Sequence, residues 1–226
     1  MVATKKKIKK KRRKKQKLKI KKNVLLIGSV LILVIIIILV SIILFNKSLS
    51  NDKEIEKVEN KVIELENYNY YLHGNATSYE ESLAKELKKN LSSDSINFEE
   101  YAKTITKMFV SDLFTLNNKN SGSDITSSQY VYIDYQETFK TKIKNTLYAN
   151  IEVDLDGKRK QDLPEVTNVT INNITNNSFS YNNEILDDEA YYVSVSIEYN
   201  KNLGYPDEYE VVLVKNDKLL QVVKSN

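Results

Sequence analysis

The 226-residue chain contains no cysteine and no tryptophan, one histidine, five glycines and two prolines. Without cysteine there is no disulfide, no thiol nucleophile, no thiolate zinc site and no cysteine-borne lipid. A small domain stapled by disulfides is excluded, so any domain here must hold itself together by its apolar core. The scarcity of glycine and proline leaves no glycine-rich phosphate loop and no proline-rich ligand tract. Acids are missing from the whole N-terminal stretch, the first being Asp52, and no charged residue lies between Lys22 and Lys47.

The formal charge of +4 is therefore an average of unlike parts. Residues 1–22 hold 14 lysines and arginines, while the chain beyond residue 46 holds 20 basic and 30 acidic side chains, a net of −10. Thr4 to Lys22 is dense in like charges that repel one another, which predicts a disordered cytoplasmic tail. Its lysines nearest the apolar segment, Lys14, Lys15, Lys17, Lys19, Lys21 and Lys22, are placed to attract a lipid bilayer with anionic headgroups, at about 1 kcal/mol each. The alternative is a tether for nucleic acid through phosphate neutralisation. No aromatic residue is interleaved to stack on bases, so no specific nucleic acid is expected.

Val24 to Phe45 is 22 residues long, interrupted only by Gly28, Ser29 and Ser41 among Val, Leu, Ile and Phe. A helix of that length spans about 33 Å against roughly 30 Å of hydrocarbon. The run is too long for a cleaved signal peptide, and Phe45-Asn46-Lys47-Ser48-Leu49 offers no small-x-small cleavage site. A transmembrane signal anchor over 23–46 is expected. The excess of lysine before it places the N-terminus in the cytoplasm and the C-terminus outside, making this a single-pass cell-membrane protein.

Residues 47–73 read as a helical stalk. Ile55, Val58, Val62 and Leu65 recur at spacings of three, four and three, which gives a short apolar seam for oligomerisation or the inner face of a lone helix. Asn67-Tyr68-Asn69-Tyr70-Tyr71 follows, suited either to an interface or to capping the domain.

Residues 74–226 are long enough to bury a core without staples. Ser78-Tyr79-Glu80-Glu81 has the spacing of a capping box, and Leu83, Leu87 and Leu91 then share one helical face. A second helix is expected from near Asn97, with Tyr101, Ile105, Met108, Phe109, Leu113 and Leu116 forming an apolar stripe. Asn117 to Ser128 is polar and contains Gly122, hence a loop. A third helix is expected over Tyr132 to Ile151, with Phe139, Ile143, Leu147 and Tyr148 inward.

After Pro164 the period changes to two. Val166, Asn168, Thr170 and Asn172 are expected on one strand face, with Thr167, Val169, Ile171 and Asn173 on the other. Tyr191, Val193, Val195, Ile197 and Tyr199 alternate with polar residues. Tyr209 to Val214 and Leu219 to Val223 complete four strands, with Asn216-Asp217 as a two-residue hairpin loop. The fold class is α+β: three helices followed by a four-stranded, curved antiparallel sheet.

Candidate chemistry is sparse. His73 precedes the first helix alone and reads as a solvated linker residue. Asp154-x-Asp156-Gly157 starts like a calcium loop, but Lys158, Arg159 and Lys160 stand where further ligands belong, so it reads as a turn. Those three cations are candidates for contact with an anionic partner. Asp187-Asp188-Glu189 reads as a solvated acidic loop ahead of a strand. No catalytic, cofactor-binding or metal-ligating set is assigned, and no cofactor is expected.

The order of elements outside a single anchor resembles the cone-shaped α+β fold of the nuclear transport factor two-like superfamily. More narrowly it is similar to the extracytoplasmic domains of type IV secretion and conjugation assembly proteins of Gram-positive bacteria. Tyr101-Ala102-Lys103, the run Phe109-Val110-Ser111-Asp112-Leu113-Phe114-Thr115-Leu116 and the run Gly157-Lys158-Arg159-Lys160-Gln161-Asp162-Leu163-Pro164 carry that likeness, together with the architecture of 78–224. The resemblance implies a non-enzymatic scaffold with a protein partner or self-association outside the membrane. Enzymes of the superfamily place acid/base groups, often His and Asp, inside the cone, where a small ligand could also bind. This chain offers no matching pair, so no catalytic residue is carried over.

Overall fold

A computed structural model of the chain describes residues 61–63, 68, 70–154 and 157–226. The basic tail with Lys14, Lys15, Lys17, Lys19, Lys21 and Lys22, the apolar run of 24–45 and the seam positions Ile55, Val58 and Leu65 lie outside the described residues. Among the described residues, no helix is long and apolar enough to cross a membrane.

The protein is α+β. Two short strands, β1 (Lys61–Val62) and β2 (Tyr71–Leu72), pair antiparallel. Three helices follow: α1 (Ser78–Leu91), α2 (Phe98–Phe114) and α3 (Gln136–Asn145). Short 3-10 turns at Thr126–Tyr130 and Ile133–Tyr135 lead into α3. Then β3 (Val166–Tyr181), β4 (Glu184–Tyr199), β5 (Glu208–Asn216) and β6 (Leu219–Ser225) form an antiparallel meander in that spatial order.

The helices begin where side chains satisfy their free N–H groups. Thr77 caps α1, accepting from the Glu80 N–H while the Glu80 carboxylate accepts from the Thr77 N–H, a complete capping box. The box is one residue earlier than the Ser78/Glu81 pattern suggests, because Thr77-x-x-Glu80 satisfies the same spacing and also lets Glu80 turn inward. Asn97 caps α2 through the N–H groups of Glu99 and Glu100.

The expected stripe of α2 is buried in full: Tyr101, Ile105, Met108, Phe109, Leu113 and Leu116 all face the core. Leu83, Leu87 and Leu91 of α1 join them. The helix packs across β3, β4 and β6, where Val193, Val195, Ile197, Val211, Leu213 and Leu220 complete the core. Each such aliphatic or aromatic side chain contributes about 1.5–3 kcal/mol on burial.

Five expectations need correction. The stalk helix over 47–73 does not hold at its described end. Lys61–Val62 is a strand, and Ile63, Tyr68 and Tyr70 are buried in the core. At residues 61–63 strand pairing and core burial outweigh a short helical pattern.

The third helix is shorter than 132–151. Its first part is a 3-10 turn, and its last carbonyls are taken by tight turns at Thr146, Tyr148 and Ala149. The register of β3 shifts between Val166 and Asn168, so Val166 and Val169 face the same core although a strict period of two separates them.

The last hairpin turns at Asp217-Lys218, with Asn216 paired to Leu219, because Asp217 takes the left-handed conformation (φ 55°). Asp187-Asp188-Glu189 lies inside β4, and the Asp187 carboxylate accepts from the backbone N–H of Lys215 on β5 at 2.6 Å and of Glu189 at 2.9 Å.

Candidate interaction groove

The β3–β4 hairpin is longer than the rest of the sheet. Asn182 and Asn183 close it with φ of 50° and 65°, the pair of left-handed residues that a type I′ turn requires. Register shifts between Asn177 and Ser180 bend it. Phe179 and Leu186 of this extension pack against Ala190, Val212 and Val214 on the second face of the sheet. Its tip reaches the 3-10 turn before α3, where Tyr181 and Tyr135 meet edge to face with centroids 5.2 Å apart.

Among the described residues, the last strand, β6, has no further strand beside it in the sheet. Among the described residues its edge is met at Leu220, whose N–H donates to Tyr101 Oη (3.4 Å), and at Val222: Val131 forms a parallel bridge to Val222, and the Tyr132 N–H donates to the Val222 carbonyl at 2.9 Å. The Tyr135 N–H then donates to the Tyr132 carbonyl (2.8 Å) and the Gln136 amide to the Val131 carbonyl (3.0 Å), which sets the start of α3 beside the strand.

Between α3, the rest of the β6 edge and the hairpin tip lies a groove of about 620 Å³. Tyr132, Tyr135 and Tyr181 form an aromatic ladder along it, the Tyr132 and Tyr135 rings 5.5 Å apart. Phe139, Leu186 and Val223 add apolar surface, while Lys142, Lys224 and Asp134 supply charge. Burial, followed by Tyr181, Tyr132 and Asp134, raises the pKa of the Tyr135 phenol. Ile133 and Ile185, neighbours in sequence of lining residues, are 60% and 64% exposed. This concentration of exposed large apolar groups is what marks interaction surfaces.

A second polar cluster lies inside the domain. The Lys119 ammonium donates to the Asp112 carboxylate of α2 and to Thr126 Oγ1 (3.2 Å), and Thr126 in turn donates to Asp112 Oδ1 (2.6 Å). Glu80 accepts from Asn118 Nδ2 at 3.1 Å. His73 is buried rather than solvated: its Nε2 meets Asp124 Oδ2 at 2.8 Å, and its Nδ1 accepts from the Asn75 N–H at 3.0 Å. That acceptor role assigns the ring proton to Nε2, which donates to Asp124.

Burial lowers the Lys119 pKa, but Asp112, Glu80 and Asp124 outweigh it and raise the value above that of an ordinary lysine. Burial raises the Glu80 pKa, only partly opposed by Lys119. For Asp124 burial acts upward, yet the His73 and Asn120 hydrogen bonds and Lys119 bring its pKa below the ordinary value. The space among His73, Glu80, Asp112 and Tyr130 is about 10 Å³, too small for any organic ligand. Among the described residues, no group of three or more acidic or histidine side chains is arranged to hold a metal ion. The cluster joins the N-terminal strap (residues 70–77), α1, α2 and the loop of 117–128.

Of the candidate anion contacts, Lys158 and Lys160 are exposed. Arg159 is turned inward, its guanidinium donating to the carbonyls of Asn117 and Lys119 (both 2.7 Å) and Glu152 (3.2 Å). The Lys158 and Arg159 N–H groups bond Asp154 Oδ1. Val62 of the seam pairs through its backbone in β1. The groove residues carry no local sequence signal, since a sheet edge and a hairpin more than 30 residues away meet only in the fold. No family model, no curated protein and no solved structure matches the chain.

Proposed function

We propose that the chain is a single-pass, membrane-anchored, non-enzymatic interaction protein of the bacterial envelope, presenting a cone-like α+β domain outside the membrane as a scaffold of secretion or conjugation type. The apolar run of 24–45 and the excess of lysine before it support the anchor and its direction. One observation carries the interaction reading: the 620 Å³ groove in which the edge of β6 meets the tyrosine ladder. Concave apolar surface with a few charged groups at a free sheet edge suits capture of another chain. Phe109, Leu113, Val195, Val211 and Leu213 are buried together in the core, which supports this reading over a ligand site inside the cone. The basic tail is then an orientation signal that also rests on anionic lipid.

Because the chain has no cysteine, single cysteines test this cleanly. Thr4→Cys, Asn202→Cys and Thr138→Cys are each exposed to an impermeant thiol reagent, in intact cells and as purified protein. The expected result in cells is labelling at 202, none at 4, and slow labelling at the groove position 138, which reacts fully once purified. Labelling at 4, or equal rates at 138 and 202 in cells, overturns the proposal.

A further inference from the structure

The groove combines three features whose conjunction selects an occupant. First, it runs along a sheet edge. Among the described residues, Val131 and Tyr132 cover that edge at Val222, and Val223, Lys224 and Ser225 continue it along the groove wall. An extended peptide laid there can add to the sheet through its backbone. Second, Tyr132, Tyr135 and Tyr181 stand along the groove, placed to receive apolar side chains of such a strand. Successive same-face positions on a strand are about 6.6 Å apart, a step comparable to the ring spacing.

Third, the charge of the groove is opposite to that of the domain. Lys142 and Lys224 line it against a single acid, Asp134. Neither lysine has an ion-pair partner among the described residues. The chain beyond residue 46, these three included, is net −10. Two unpaired cations in the concave part of an acidic surface attract an acidic ligand and repel a basic one. A second copy of this chain, paired antiparallel through β6, would bring Lys224 toward its own counterpart, which disfavours self-pairing at this edge.

We propose that the groove binds an extended segment of a partner protein in which acidic side chains alternate with apolar ones. The segment pairs with the β6 edge beyond Val222, its apolar side chains on the tyrosine ladder and its carboxylates at Lys142 and Lys224. This deepens the reading of the groove as the docking site and rests on it.

The test uses the full chain in detergent micelles and fluorescent peptides read by anisotropy. One peptide alternates Val and Asp, a second alternates Val and Lys, and a third is the Val/Asp peptide methylated on alternate backbone nitrogens. The Val/Asp peptide binds, more tightly at low salt, and the other two do not. The variant carrying Lys142→Glu and Lys224→Glu loses about tenfold or more for Val/Asp and gains the Val/Lys peptide. Equal thermal melting of variant and parent shows that both are folded.

Equal binding of all three peptides overturns the proposal, as does binding that the charge reversal leaves unchanged. Concentration-dependent dimerisation that blocks the groove also overturns it, in favour of a second copy. If position 138 is protected in cells but no Val/Asp peptide binds, the peptide assignment fails and the docking reading stands. If position 138 is unprotected as well, the docking reading itself fails.

Discussion

The Lys119 ammonium rests on the Asp112 carboxylate with neither side chain more than 8% exposed, so a loop that reads as polar filler is anchored inside the core by a full charge. Thr126 bonds both partners, and Glu80 and Asp124 add to the field that keeps the lysine charged. An ion pair of this kind is weak evidence of net stability but costly to break on one side.

Lys119→Met therefore leaves Asp112 buried and uncompensated, with an expected loss of about 3–5 kcal/mol. The double variant Lys119→Met with Asp112→Leu recovers most of that loss. Denaturant unfolding of the two variants and the parent measures both. Equal losses in the single and double variants would show that the pair does not act as a unit.

Asp124 holds the strap by way of His73 and the loop by way of the Asn120 N–H. Asp124→Asn is expected to cost about 1–3 kcal/mol. Because the folded-state pKa of Asp124 is below its unfolded value, its contribution is present above the ordinary carboxylate range and is lost as pH falls through the folded value. The acid limb of the stability profile should be shallower in the variant than in the parent. Glu80, shifted the opposite way, works against that limb and is common to both proteins.

At high pH the sign reverses. Lys119 and several tyrosines have raised folded pKa values. Burial, opposed by the Tyr70 and Leu220 hydrogen bonds, pushes Tyr101 up to about 12. Burial, followed by Tyr101, raises Tyr70 further. These groups favour the fold below their unfolded values, near 10, and that advantage disappears as pH rises above them. Of the 15 tyrosines, Tyr70, Tyr101, Tyr130 and Tyr148 should form tyrosinate only together with loss of the fold. Ultraviolet absorbance and circular dichroism followed on one alkaline titration check this. Smooth titration of all 15 ahead of unfolding would contradict it.

Gly122 approaches the backbone carbonyl of Tyr148 so closely that a Cβ there would lie 2.6 Å from the oxygen. Backbone cannot swing aside as a side chain can. Gly122→Ala should cost about 1–3 kcal/mol, read as a lower midpoint of thermal unfolding.

How much of this was legible depends on the range of the interaction. The α2 stripe from Tyr101 to Leu116 was readable, because helical spacing and core burial agree there. The strand alternation at Val193, Val195 and Ile197 was readable for the same reason. The phase of β3 was not, since the bulge after Val166 breaks the period of two. Residues 61–63 matched a helical pattern but follow their pairing with Tyr70 to Leu72 and the burial of Ile63.

His73 looked isolated because its partner Asp124 is 51 positions away. Lys119 looked like one of many surface lysines, and only the fold sets it beside Asp112 and Thr126. The groove was equally hidden. Tyr132, Tyr181 and Val223 come from three separate stretches of chain, and no local pattern links them.

The central claim is that the β6 groove is where a partner sits outside the membrane, and photo-crosslinking in intact cells tests it most directly. A photoreactive phenylalanine derivative replaces Tyr135 in the groove or, as control, Leu203 in the β4–β5 connection. The account predicts a discrete protein adduct from position 135, absent from position 203 and lost when Lys142→Glu and Lys224→Glu are added. No adduct from 135, or the same adduct from both positions, would contradict it.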